Sequence, residues 1–458
     1  MNIFDICLLS AFVAFGVFGF VRCLSNLKNN NLEFLPTLGW LLTMALPFLI
    51  EWSFLHPNLK YVQLMGVGIF AIVFLAGDEI AASIRIAKDK AAPATTLEIN
   101  ARALKTTYIF LSISVVIMAV HLATSANIPL IELLKSNDDT VAVADRYNYY
   151  RNLPLGVWFT YVVNFNLYLF MAPAIVYLIH RRKYAIAGAA LLIAIAYALS
   201  GTAKAQCVMI VAQIFVMSMF LHYNRGTTMY RLFWTMIVML LMLAGYYITN
   251  MDRTSLHSPI SNAAPKNTSV NHIGDYYRAA QVPESAQPSL TERADRKAQH
   301  FFYRSILTPV EVSARWYEYF YLYPVMKGTF SQNVMDSRSQ KSEQPSNVVG
   351  KWAYHERFPT HYYDSIHAYS SIDADSFARF GVFGWFIAGI LYLAVRIGMA
   401  AIYDPRSPVQ AIMYGTTLIL IGGMTASASI QALLLPNGLI ACVAIMLILT
   451  IVERRQYA

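Results

Sequence analysis

Runs of apolar residues long enough to cross a bilayer recur along this chain, separated by polar segments of very unequal length. A spanning helix needs roughly 20 apolar residues. Runs near 3–21, 35–55, 61–80, 107–124, 156–179, 184–200, 207–222, 231–249, 377–402, 409–426 and 435–451 meet or approach that length. The pattern predicts an all-α polytopic membrane protein with about eleven transmembrane helices. Lys and Arg then set the orientation, because short cytoplasmic loops carry an excess of both. Arg22 and Lys28 follow the first run, Arg85, Lys88, Lys90, Arg102 and Lys105 the third, and Arg181, Arg182 and Lys183 the fifth. Arg225 and Arg231 follow the seventh, Arg396 and Arg406 accompany the ninth, and Arg454 and Arg455 close the chain. These groups alternate if the N-terminus is outside and the C-terminus cytoplasmic; the expected location is a bacterial inner membrane, with the outer side periplasmic.

Three regions follow. Residues 1–249 hold eight predicted spans with short loops and one longer outer segment at 125–155. Residues 250–376 form a large periplasmic loop, and 377–458 hold three more spans and the cytoplasmic C-terminus. Long segments translocate largely regardless of charge, so the basic residues of the large loop fit this topology. Its first part, 251–298, has the Ser, Asn, Pro and Ala content of a partly mobile stretch. Residues 301–370 are dense in Phe, Tyr and Trp and predict order, making the loop partly helical. Thr308-Pro309-Val310-Glu311 is a capping box with Pro at the first helical position, which predicts a helix over 309–322. Val312, Trp316, Tyr319 and Phe320 form its apolar stripe, and Glu311 and Arg315 are spaced to pair.

Composition agrees with this class. Of 458 residues, 57% are hydrophobic and 13% charged. The net charge of +9 is spread over many short loops, without a basic block or nucleic-acid motif, so a nucleic-acid partner is excluded. Cys7, Cys23, Cys207 and Cys442 all lie in or beside apolar runs without ligand-like spacing, which implies neither disulfides nor zinc. The first run has no basic residue before it and no clear cleavage site, so it reads as a retained anchor.

Four constellations could carry chemistry. Ser200-Gly201-Thr202-Ala203-Lys204-Ala205-Gln206 joins two runs that are each short for a bilayer. Such paired breaks often mark a site recessed into the membrane. Lys204 would meet a lipid-linked phosphate there; a tight turn with a snorkelling Lys is the competing reading. Asp145-Arg146-Tyr147-Asn148-Tyr149-Tyr150-Arg151 interleaves guanidinium groups, which suit phosphate, with rings that suit sugar faces; the alternative is an interfacial aromatic belt. Arg304 to Arg315 straddles a helix start, where free N–H groups and the dipole favour an anion. Finally, His355, Glu356, Arg357, His361, Asp364, His367, Asp373, Asp375 and Arg379 crowd the end of the large loop. Their spacing fits no metal site. A general base from His367, Asp373 or Asp375 competes with plain solvated charge, and Arg379 is either a phosphate ligand or a membrane-edge anchor.

This layout resembles the Wzy-type polymerases of O-antigen and related polysaccharides. The resemblance rests on the large outer loop in the second half and on Gly201-Thr202-Ala203-Lys204, with Lys one place from the family's Arg. It rests also on Arg304 ahead of Pro309, and on Arg379-Phe380-Gly381-Val382-Phe383-Gly384 at the start of a span. It covers about residues 120–400 in short degenerate motifs. The resemblance implies a periplasmic glycosyltransferase whose substrates are undecaprenyl-pyrophosphate-linked glycans in membrane lipid, with a chain-length regulator as a candidate protein partner. An acceptor sugar hydroxyl would attack the donor's anomeric carbon and undecaprenyl pyrophosphate would leave. The donor carries its own activation, so no cofactor and no metal are expected. Arg146, Arg151, Lys204, Arg304, Arg315 and Arg379 are the implied substrate-binding cations, and His367, Asp373 and Asp375 the implied catalytic groups. An O-antigen ligase shares this layout. A lipid-oligosaccharide flippase is the rival from another class, expected to bury charge mid-span, where this sequence places few charges.

Overall fold

The structure is a computed structural model. It describes residues 3–28, 31–52, 59–91, 101–125, 127–136, 149, 153, 155–201, 204–222, 308–331, 333–338, 340–354, 369–405, 407–424 and 428–454. Helices dominate: α1 (Ile3–Lys28), α2 (Leu32–Glu51), α3 (Lys60–Ala91), α4 (Ala101–Thr124), α5 (Pro129–Ser136) and α6 (Trp158–His180) open the chain. Next come α7 (Tyr184–Ser200), α8 (Lys204–His222), α9 (Thr308–Leu322) and α10 (Pro345–Tyr354). The chain closes with α11 (Ile372–Phe380), α12 (Val382–Ile402), α13 (Pro408–Met424), α14 (Ile430–Leu434) and α15 (Leu439–Arg454). Among the described residues, seven helices are long and apolar enough to cross a membrane, and α7, α8 and α13 are shorter apolar helices. The predicted span at 231–249 lies outside the described residues.

Local chemistry shapes these helices. In α2 a π turn, Leu41–Ala45, stands just before Pro47, and in α6 another, Leu167–Met171, stands just before Pro173. Proline lacks the N–H that closes an α turn and its ring crowds the carbonyl four residues back, so the widened turn accommodates it. Small residues allow close crossings. A Cβ on Gly39 would lie 2.0 Å from the Gly422 carbonyl oxygen, so α2 and α13 meet backbone to backbone.

The contacts fix helix direction. Along α3, Gly66 faces Trp385, Gly77 faces Tyr392, and Lys88 donates to the Ala401 and Tyr403 carbonyls, so α3 and α12 run parallel. Asp5 meets Lys60, and Arg22 meets Glu79, so α1 shares that direction. Leu32 lies by Gly415 and Gly39 by Gly422, making α2 and α13 parallel to each other. Met217 and Met209 lie by Gly415 and Gly423, so α8 runs against α13. The C-terminal end of α2, where Trp52 packs on Tyr61, is therefore at the same end of the bundle as the start of α8. That end, called the upper end below, also carries Lys60 and Val382.

Three findings depart from the pattern-based expectation. First, residues 325–343 contain a small antiparallel sheet in order β1 (Val325–Lys327), β2 (Val334–Asp336), β3 (Ser342–Glu343), with a bulge in β1. Second, the predicted 377–402 span is two helices broken at Gly381, whose φ of +60° suits glycine. Third, Arg396 is no loop cation. It is fully buried with Glu33 and Asp78, so the bundle does hold charge within its helices. Arg396 pairs with Glu33 and with Tyr414 (2.7 Å), and Asp78 accepts from Thr37 N and Oγ1 at 3.0 and 2.6 Å. The helix in the large loop begins at Thr308, as its capping box predicts, and buries Val312, Trp316, Tyr319 and Phe320.

Candidate functional site

Two polar networks occupy the upper end. The first joins α9 to α11. Ser313 Oγ lies 2.8 Å from Ser371 Oγ and 3.1 Å from Ser370 Oγ. Tyr317 donates to Asp373 Oδ2 at 2.8 Å, Ser371 donates to Asp373 Oδ1, and Trp385 Nε1 donates to the Asp373 carbonyl at 3.1 Å. Gln63 Nε2, near the start of α3, donates to the Val310 carbonyl at 3.3 Å. Glycine at 66 makes room for the phenol, since a Cβ there would lie 2.2 Å from Tyr317 Oη. Asp373 is fully buried. Burial pushes its carboxyl up, and the hydrogen bonds from Ser371 and Tyr317 pull it partly back. Burial and the adjacent Asp373 hold the Tyr317 phenol well above its usual range.

Arg379 anchors a separate set of bonds on the same helix. Its Nε donates to Asp375 at 2.9 Å, its Nη1 to the carbonyls of Thr329 and Ser331 at 3.0 and 2.6 Å, and its Nη2 reaches Gln431 at 3.5 Å. Asp373, Asp375 and Arg379 are thus all buried on one helix, with Asp373 and the Asp375–Arg379 pair engaging different partners. Arg315, expected to pair with Glu311, instead donates to Glu318 at 2.8 Å and is partly exposed.

The second network lies where α4, α7 and the segment before α6 converge. His121 Nε2 meets the Tyr149 carbonyl at 2.7 Å, and Nδ1 meets Tyr197 Oη. Tyr149 Oη lies 2.7 Å from Ser200 Oγ, which donates to the Tyr197 carbonyl at 2.6 Å. One proton arrangement satisfies all four bonds. Tyr197 donates to Nδ1, Nε2–H donates to Tyr149, Tyr149 donates to Ser200, and Ser200 donates to Tyr197. A neutral imidazole protonated on Nε2 therefore closes the ring. Burial raises the Tyr149 phenol and the Ser200 bond lowers it.

This ring unites two of the sequence constellations. Tyr149 lies between Arg146 and Arg151 in the chain, and Ser200 precedes the Gly201 turn and Lys204, the first residue of α8. Arg146, Arg151, Arg304 and His367 lie outside the described residues. Sequence reasoning missed His121 and Tyr197, which sit in apolar runs with no local motif. It also missed the Glu33, Asp78 and Arg396 cluster. An acid inside a predicted span, such as Asp78, was the available signal, because intramembrane charge is costly and needs a partner. No group of three or more His, Cys, Asp or Glu residues that could hold a metal ion occurs among the described residues.

Several long apolar helices closed on a shared core define a polytopic helical membrane protein. Comparison with known proteins found no matching family model, no matching curated protein and no matching solved structure.

Proposed function

We propose that this chain is a polysaccharide polymerase that joins undecaprenyl-pyrophosphate-linked oligosaccharide repeat units at the periplasmic face of a bacterial inner membrane. It would have eleven spans, a periplasmic N-terminus and a cytoplasmic C-terminus. The observation that carries the reading is the 2.7 Å tie between Tyr149 and Ser200. It ties Tyr149, which Arg146 and Arg151 flank in sequence, to Ser200, which precedes Lys204 by four residues. Cations at headgroup depth suit a lipid pyrophosphate that gains charge as it leaves.

In the reaction, the acceptor hydroxyl oxygen bonds to the donor's anomeric carbon. The bond from that carbon to the pyrophosphate oxygen breaks, its electron pair departs with the lipid pyrophosphate, and the hydroxyl proton passes to a base. Lys204, Arg304, Arg146 and Arg151 are assigned to the leaving group. Asp373, Asp375 and Arg379 receive positioning roles, because their polar atoms are engaged within the protein. His367 is the assigned proton acceptor. Arg315 keeps a peripheral substrate-binding role from its partly exposed place on α9.

The flippase reading draws on Glu33, Asp78 and Arg396, but Arg396 faces both acids, Arg85 lies 3.6 Å from Glu33, and all three members are fully buried. The test is reconstitution of the purified protein in vesicles with lipid-linked repeat units. Longer lipid-linked glycans, formed also in the presence of EDTA, are the expected product. Transfer only to lipid A–core would identify a ligase, and movement of the lipid without extension a flippase.

A further inference from the structure

The small sheet displays large apolar side chains that no element of the sheet covers. Met326 is 60% exposed, Phe330 41% and Met335 43%, whereas Val334 and Asp336 on the opposite side of β2 are buried. The turn between β1 and β2 is pinned to the junction of α11 and α12. Arg379 Nη1 donates to the Thr329 and Ser331 carbonyls, and the Phe330 ring lies 4.9 Å from that of Phe380. A Cβ on Gly328 would lie 2.4 Å from the Phe380 ring, so the turn is held tightly to this junction. Immediately beyond it, Phe383 is 76% exposed at the first turn of α12, a helix of membrane-crossing length.

We propose that the β1–β2 hairpin is a membrane-surface anchor that lays Met326, Phe330 and Met335 into the headgroup and upper acyl region of the bilayer. Three observations point to lipid as the occupant. The Phe330 ring meets Phe380, which is followed by the exposed apolar Val382 and Phe383 at the start of α12. The depth of the hairpin is fixed by Arg379, which is anchored to Asp375 one turn before the span begins. The charge is complementary to anionic lipid: Arg338, which packs over the Tyr323 ring at 5.3 Å, and Lys341 are exposed on the same meander, while Asp336 is buried and Glu343 meets Lys351 at 3.1 Å. An apolar face flanked by cations is the composition that binds anionic interfaces. The hairpin would set the height of α9 and α11 above the membrane, whatever reaction the polar region performs.

The experiment places nitroxide labels at Met326→Cys, Phe330→Cys and Met335→Cys, one at a time. The background is Cys7→Ser, since Cys7 is the exposed cysteine among the four. The full-length protein is reconstituted in phosphatidylglycerol–phosphatidylcholine vesicles. Power saturation then compares relaxation by oxygen with relaxation by an aqueous nickel chelate. Oxygen should win at the three positions by about threefold or more, and the chelate should win at a reference label on exposed Gln340→Cys. Should Phe330→Cys fail to fold through loss of its Phe380 contact, the two methionine positions read the same surface. Greater access to the chelate at these positions would overturn the proposal. So would spin–spin broadening that disappears on dilution with unlabelled protein, which assigns the face to a second copy. Shielding from both reagents would assign it to protein contact and equally overturn it.

Discussion

The two buried ionic clusters of this protein look alike in composition and differ in what they connect. Glu33, Asp78 and Arg396 join α12 to the start of α2 and the middle of α3, with Tyr414 of α13 closing the group. Every member comes from a helix of the bundle. Asp375 and Arg379 instead lie one turn apart on a single short helix, and the guanidinium Nη1 donates to a loop of the polar region while Nη2 reaches Gln431 of α14. The first cluster fixes helices against helices. The second fixes the polar region against the membrane edge. Buried charge in a membrane protein therefore has no single meaning, and the elements it spans decide its role.

The largest effect should come from opening the first cluster. Arg396→Leu leaves Glu33 and Asp78 buried without their shared cation, which costs about 3–5 kcal/mol. Loss of folded protein in detergent, followed by size exclusion after heating, measures it. Adding Glu33→Gln and Asp78→Asn to Arg396→Leu should recover part of the loss, since an unpaired buried charge is worse than none. Next in size is the proposed leaving-group clamp. Lys204→Ala and Arg304→Ala should each lower polymerisation about 10²–10³-fold, or roughly 3–4 kcal/mol, in protein that still inserts. Arg304→Lys should also fall well short of wild type, because a point charge cannot replace the planar fork. Surface glycan in a strain lacking its own polymerase gives the readout, and normal long ladders would remove the residue from the site.

Opening the second cluster should act locally. Arg379→Leu leaves Asp375 buried without its cation, which costs about 3–5 kcal/mol. The expected result is protease cutting near residues 328–333 while the bundle stays intact. Equal collapse of both variants would erase the distinction between the clusters. Asp373 sharpens it through pH. Its folded carboxyl is raised by burial, so its stabilising contribution is complete below the ordinary value of 3.8 and is lost as pH rises through the folded value. Relative to Asp373→Asn, the wild type should therefore gain thermal stability on acidification and lose that advantage towards neutral pH. A difference in Tm that is flat with pH would contradict the buried placement.

Much of the helical frame was legible because long apolar runs report directly on spans, and the Thr308 capping box reports on a helix start. The motif Gly381-Val382-Phe383-Gly384 was visible too, and the fold gives its glycines a structural basis. Gly381 takes a positive φ, and a Cβ on Gly384 would lie 1.9 Å from the Ser376 carbonyl oxygen. Arg396 was misread because counting cations along a chain cannot see partners 363 residues away in sequence. The three-stranded sheet was illegible for another reason. Strands of two or three residues are too short to establish an alternating pattern. Tyr149 and Ser200 each lay in a singled-out segment, yet only the fold shows that those segments touch.

The smallest predicted effect tests that contact. Tyr149→Phe keeps the buried ring and removes one hydroxyl from the four-bond cycle with His121, Tyr197 and Ser200. Ser200 keeps its bond to the Tyr197 carbonyl, and His121 keeps its bond to the residue 149 carbonyl, so no buried donor is stranded. The cost should then be that of one neutral hydrogen bond, about 1 kcal/mol. His121→Phe is different. It leaves both the Tyr197 hydroxyl and the Tyr149 carbonyl without their partner, and should cost about 1–3 kcal/mol. His121→Gln offers an amide N–H and a carbonyl and should recover part of the loss. If the cycle positions Arg146 and Arg151 over Lys204, Tyr149→Phe should lower glycan extension severalfold without changing the melting temperature by more than a few degrees. Double-mutant analysis then decides the role. Tyr149→Phe combined with Lys204→Ala should be less damaging than the product of the single effects, because a misplaced segment matters little once its phosphate partner is gone. Full multiplicativity would mean that the Tyr149–Ser200 tie stabilises the bundle end and does nothing for the clamp.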